Sequence, residues 1–231
     1  MDAFHEALAR IAFEAGDDLG LVLAGGYAIS AHRLTARASR DVDFATAAAL
    51  PLQQVTERLA EAYRDAGLHV VVIESASRMA RLEVSGDGDS SEVDLLKEAI
   101  GPPVRMRIGP VLSLDDAVGL KMRALHDRAL HRDYIDVHAA TTAGGYTRQE
   151  AERLGARHTD HFGLDELADR LEAIDLRDER TFTAYGLTAA EIAELRRWAF
   201  EWAADLRART TSGSAPPGGT EDDEWSRYLD E

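Results

Sequence analysis

The chain has no cysteine among its 231 residues, which excludes disulfides and thiolate-bound metals. No apolar run approaches the roughly 20 residues that a membrane-spanning helix needs. The opening stretch, MDAFHEALARIAFEAG, lacks the basic start and apolar segment of a secretory signal. A soluble, cytoplasmic protein with no membrane partner is therefore expected. Positive charge is also scarce, with 26 Lys and Arg against 42 Asp and Glu and a formal net charge of −16. Binding of nucleic acid through overall charge is thereby excluded, because neutralising phosphates requires a basic surface. Any polyanionic substrate must meet a local basic patch or a bound metal. What is present is 45% hydrophobic residues, enough for an ordinary core in one large domain or two small ones.

Periodicity divides the chain. Residues 2 to 15 have apolar positions at helical spacing, and GLVLAGG reads as a short strand ending in a glycine pair that opens a helix, YAISAHRL. RDVDFA alternates polar and apolar as a strand does. An amphipathic helix over 52–66, stopped by Gly67, precedes three strands: HVVVIES, MARLEVSG and SEVDLLKE, the last two joined by a Gly/Asp/Ser turn. A further strand near VRMRIGPVL closes the sheet. From Ser113 the pattern is helical. Ser113 is the expected cap of SLDDAVGLKMRALHDR, RDYIDVHAATTA continues the pattern, and Thr-x-x-Glu capping boxes open TRQEAERLGARH and TAAEIAELRRWAFEWAADLRAR. The expected organisation is an α/β core over 1–112, a mixed sheet flanked by helices. A helical region completing the site follows over 113–209, and then a disordered acidic tail over 210–231.

Two aspartates one residue apart interrupt the strand at RDVDFA. Asp41 and Asp43 share one face, with Val42 and Phe44 directed into the core behind them. Buried carboxylates are costly unless paired or bound to metal, and a close pair on a rigid strand suits Mg²⁺ or Mn²⁺ together with substrate phosphates. Asp94 in SEVDLLKE is the candidate third carboxylate, with Glu92 on the same face as the alternative. The strand, Gly25-Gly26, helix arrangement can bring backbone amides close to phosphate. Read blandly, these are surface acids on an edge strand and a tight turn.

Together the motifs resemble the DNA polymerase β-like nucleotidyltransferase superfamily. Within it, GGYAIS, SRDVDF and LKMRALHDRALHRDYIDVHAA are similar to the AbiEii/AbiGii-type nucleotidyltransferase toxins, which include the mycobacterial MenT-type enzymes. The matching stretches run from about residue 20 to 140. The resemblance implies the nucleotidyltransferase fold, an NTP substrate, a divalent metal, tRNA as acceptor and a cognate antitoxin. It implies metal binding by Asp41, Asp43 and Asp94, nucleotide binding by Gly25, Gly26, Ser39, Lys121 and Arg132 (or Arg128), and completion of the site by Asp136. Positions 121, 128, 132 and 136 share a narrow sector if their helix is continuous. A Gly-Gly pair in place of the wider superfamily's Gly-Ser favours the toxin-like branch. Rival readings are transfer to a small molecule or a protein, which the acidic charge favours, and a nucleotide-binding module without turnover.

Other features read more plainly. His158 and His161 in RHTDHF are expected to be solvated helix residues, and Leu195, Trp198, Ala199, Trp202 and Leu206 form a core stripe. Arg33, Arg37 and Arg40 are expected on a solvated helix face, or as the local basic patch that an acidic protein requires.

Overall fold

The structure is a computed structural model that describes residues 1–213. Helix α1 (Ala3–Glu14) is capped by Asp2, whose carboxylate accepts from the His5 amide at 2.8 Å. Strand β1 (Val22–Leu23) is only two residues long, because the helix α2 (Gly25–Ala31) begins within the glycine pair itself. Strand β2 (Val42–Thr46) follows a loop, and α3 (Leu52–Asp65) ends before Gly67 at φ 84°. The meander of β3 (His69–Ser75), β4 (Met79–Gly86) and β5 (Asp89–Lys97) has its second turn at Asp87 and Gly88. Both turn residues have positive φ, as a two-residue hairpin connection demands.

The single strand expected near VRMRIGPVL is a hairpin, β6 (Val104–Met106) and β7 (Gly109–Val111). Gly109, at φ 135°, breaks the run where a Cβ would strike the Phe13 ring. The seven strands lie in the order β3-β4-β5-β2-β1-β7-β6. The pairs β2/β5 and β1/β7 are parallel and the others antiparallel, so the sheet is mixed.

Six helices complete the described residues: α4 (Leu114–Asp127), α5 (His131–Thr142), α6 (Arg148–Ala156), α7 (Leu164–Glu172), α8 (Glu179–Ala184) and α9 (Ala189–Gly213). The caps appear as the sequence predicts. The Ser113 side chain accepts from the Asp116 amide, and Thr147 and Thr188 pair with Glu150 and Glu191. Three expectations need correction. The helix carrying Lys121 and Asp136 is not continuous: Ala129 takes φ 48° between α4 and α5. Helix α9 continues past residue 209 to Gly213, which shortens the expected tail, and residues 214–231 lie outside the described residues. RHTDHF leaves the helix at Arg157, and the His158 side chain is buried beside Asp116 of α4 rather than solvated.

Two hydrophobic clusters form the core. One, from Leu8 to Ala117, fills the space between the sheet and α1, α2 and α3; the other, from Val118 to Leu206, joins the later helices. Helix α4 contributes to both. The stripe of α9 is buried in the second cluster, with Trp202 fully enclosed. No helix among the described residues is long and apolar enough to cross a membrane.

Candidate active site

Register in the sheet assembles the acids. Strand β2 pairs in parallel with β5 so that Asp43 sits opposite Asp94, while Val42 and Phe44 are fully buried behind. Asp41 lies just before β2, on the same side as Asp43. One oxygen from each of Asp41, Asp43 and Asp94 falls within 4.8 Å of the others. An all-oxygen donor set of this kind suits a hard divalent cation. Glu92, the alternative third acid, is exposed and bound to Arg81 Nη1 at 3.2 Å, outside the trio.

Each acid has a distinct environment. Asp41 accepts from Ser39 Oγ at 3.0 Å and from Arg132 Nη1 at 2.9 Å. Burial raises its pKa, but the Arg132 charge, the Ser39 hydroxyl and Lys121 together bring it below the ordinary carboxylate value. Asp94 is held at both oxygens by Arg81, Nε and Nη2 each at 2.7 Å. Arg81 stands directly across the β4/β5 ladder from it. Asp43 accepts no side-chain hydrogen bond within the described residues. Burial, reinforced by the neighbouring Asp41 charge, pushes its carboxyl up to about 6.

The glycine pair faces these acids. Ala24 N donates to Asp43 O at 2.8 Å across β1/β2. This brings Gly25, at φ 56°, so close that a Cβ would overlap the Asp43 carboxylate. A Cβ on Gly26 would meet Ser39 Oγ and the Arg37 guanidinium. Side chains other than glycine are therefore excluded at Gly25 by both conformation and space.

The opposite wall comes from the helical region. Lys121 on α4 and Asp136 on α5 are buried and joined, Nζ to Oδ2 at 2.9 Å. Arg37 grips the same carboxylate, Nε to Oδ1 at 2.7 Å and Nη2 to Oδ2 at 2.5 Å. Burial raises the Asp136 pKa, but Lys121 and Arg37 outweigh it and hold the group ionised below its usual value. One cavity is lined by Gly25, Gly26, Ser39, Asp41, Asp43, Lys121 and Arg132, among others. Asp94 and Asp136 stand behind its walls, each gripped by an arginine.

The structure thus brings together the residues that the sequence singled out, although Lys121 and Asp136 meet through two packed helices rather than along one. Arg128 also lines this cavity, and its Nε is bound to Asp133 Oδ2 at 3.2 Å. Arg37 and Arg40 lie in the loop after α2, not on a helix face, with their guanidiniums 5.6 and 5.1 Å from the Tyr185 ring centroid. Arg81, Arg37 as the Asp136 partner and Tyr185 were missed by the sequence reading. Arg81 was within reach: a two-residue Asp-Gly turn fixes the hairpin register and with it the partner of Asp94.

A comparison with curated proteins finds no match to the chain. Among solved structures, one from H. pylori ascribed to a nucleotidyltransferase aligns with TM-score 0.54 at 15% identity, covering 92% of this chain and 97% of that one. JHP933 from Helicobacter pylori aligns with TM-score 0.50 at 19% identity over 90% and 94% of the two chains. MenT4, a nucleotidyltransferase toxin from Mycobacterium tuberculosis H37Rv, aligns with TM-score 0.51 at 19% identity over 90% and 88%. These likenesses establish the nucleotidyltransferase fold. The family model described as "Nucleotidyl transferase AbiEii toxin, Type IV TA system" matches residues 6–206. The chain belongs to the AbiEii nucleotidyltransferase toxin family of type IV toxin–antitoxin systems.

Proposed function

We propose that the chain transfers a nucleoside monophosphate from an NTP to an acceptor hydroxyl, releasing pyrophosphate, and that the acceptor is a tRNA 3′ end. The observation that carries the reading is the cluster of Asp41, Asp43 and Asp94 oxygens within 4.8 Å of one another, with Asp41 and Asp43 lining one cavity together with the glycine pair, Lys121 and Arg132. Asp41 and Asp43, with Asp94 adjacent, fit Mg²⁺ or Mn²⁺. When bound, the metal supplies positive charge to the reacting phosphate oxygens. Gly25 and Gly26 admit the phosphates close to backbone. Lys121, oriented by Asp136, and Arg132, which stands at 2.9 Å from Asp41, would meet the triphosphate charge. The acceptor oxygen attacks the α-phosphorus as the bond to the bridging oxygen breaks, so the protein's work is positioning and charge stabilisation.

Membership of a toxin family supports a cognate antitoxin as partner. The net charge of −16 favours a second reading, in which a cationic small molecule or a protein is the acceptor. The arginines at the cavity favour RNA. The test incubates the protein with Mg²⁺, each α-³²P-labelled NTP in turn, and total RNA or protein extract, with Asp41→Ala alongside. Label in tRNA-sized RNA that depends on Asp41 is the expected result. Label in protein alone would favour the second reading, and transfer retained by Asp41→Ala would remove the metal assignment.

A further inference from the structure

Arg37 lies in the loop between α2 and β2, 99 positions before Asp136, yet its side chain is only 4% exposed and that of Asp136 fully buried. Its guanidinium is fixed on several sides. Two nitrogens grip both oxygens of Asp136, a third donates to Ala38 O at 3.3 Å, and the Tyr185 ring lies 5.6 Å from its centre. Gly26 packs against it so closely that a Cβ there would come within 3.1 Å of Nη2. The Asp136 oxygen taken by Nη2 is the one that binds Lys121 Nζ. A single carboxylate therefore answers two cations, and its orientation, set by the planar fork of Arg37, decides where the Lys121 ammonium stands. A lysine in place of Arg37 would keep a charge but lose the two-point grip.

We infer that Arg37 is a positioning residue: through Asp136 it aims Lys121 at the triphosphate, and it ties that helical wall to the glycine pair. The inference rests on the proposed nucleotide-binding function. It predicts a loss that depends on Lys121, which a merely structural role would not produce.

The test is isothermal titration of the purified protein with ATP, CTP, GTP and UTP, each as the magnesium complex, for the parent, Arg37→Lys, Lys121→Gln and the double variant. Arg37→Lys is expected to weaken binding of the preferred nucleotide about tenfold, with the melting temperature within a few degrees of the parent. In the Lys121→Gln background the same change is expected to cost less than about twofold. Arg37→Ala should regain part of its affinity in millimolar guanidinium chloride, which returns the planar cation. Parental affinity in Arg37→Lys, or an equal loss in both backgrounds, overturns the inference while leaving nucleotide binding intact. A parent that binds none of the four nucleotides overturns the function beneath it.

Discussion

Asp43 is the acid of the trio whose charge the fold leaves least compensated, and its behaviour with pH should show it. Its carboxyl is pushed up to about 6 from an ordinary 3.8. The folded state therefore favours the protonated form. The resulting stabilisation is full below 3.8 and is lost as pH rises through about 6. Asp43→Asn should raise the melting temperature of metal-free protein by several degrees at pH 8, on the order of 2 kcal/mol for a half-buried group, and change it little at pH 4. Calorimetry at the two pH values checks this, and equal shifts would contradict it. The same proton competes with metal, so Mg²⁺ affinity should fall as pH drops below about 6. Gly25 supplies a second residue-scale test. Alanine there must hold φ near 56° and displace Asp43. A loss of about 1–2 kcal/mol in stability and about a hundredfold in transfer is expected, measured by thermal melting and label incorporation.

The helix pair α4/α5 marks where sequence patterning stopped being informative. Its apolar spacing runs through from Leu120 to Val137, and no glycine or proline punctuates RALHRD. The break falls on Ala129, a buried alanine at φ 48° that is held by tertiary packing rather than by local preference. Ala129→Gly should therefore be neutral or stabilise by up to about 1 kcal/mol, since glycine adopts that conformation freely. In a continuous helix it would cost about 1 kcal/mol, so the sign of the change in melting temperature decides. By contrast, β2 and β5 were legible because alternation fixes which residues share a face, and Asp43 and Asp94 follow from it. The caps at Ser113, Thr147 and Thr188 were legible for an equally local reason. Helix α7 was legible in its local pattern, with Leu164, Leu167, Ala168 and Leu171 at helical spacing, and was passed over, whereas Arg37 as the partner of Asp136, 99 positions away, is placed by long-range packing. The hairpin of β6 and β7 was read as one strand because both halves carry the same pattern.

At the scale of the whole molecule, Arg132–Asp41, Arg37–Asp136 and Arg123–Glu98 tie the helical region to the sheet and its loops. A ligand that engages both walls should stabilise the molecule as a unit. Magnesium nucleotide at about 100 times its dissociation constant should add about 2.7 kcal/mol, a rise of roughly 5–10 °C in melting temperature for a chain of this size. Calorimetry with and without EDTA checks it; the rise should vanish when the metal is removed. The same long-range pairs have a consequence for synthesis. Asp41 leaves the ribosome 91 positions ahead of Arg132, an interval of about 5–20 s at ordinary translation rates. Throughout it the glycine pair, Asp41 and Asp43 have no opposite wall to face, so a chain cut short before Asp136, at about three-fifths of the 231 residues, lacks one side of the cavity altogether.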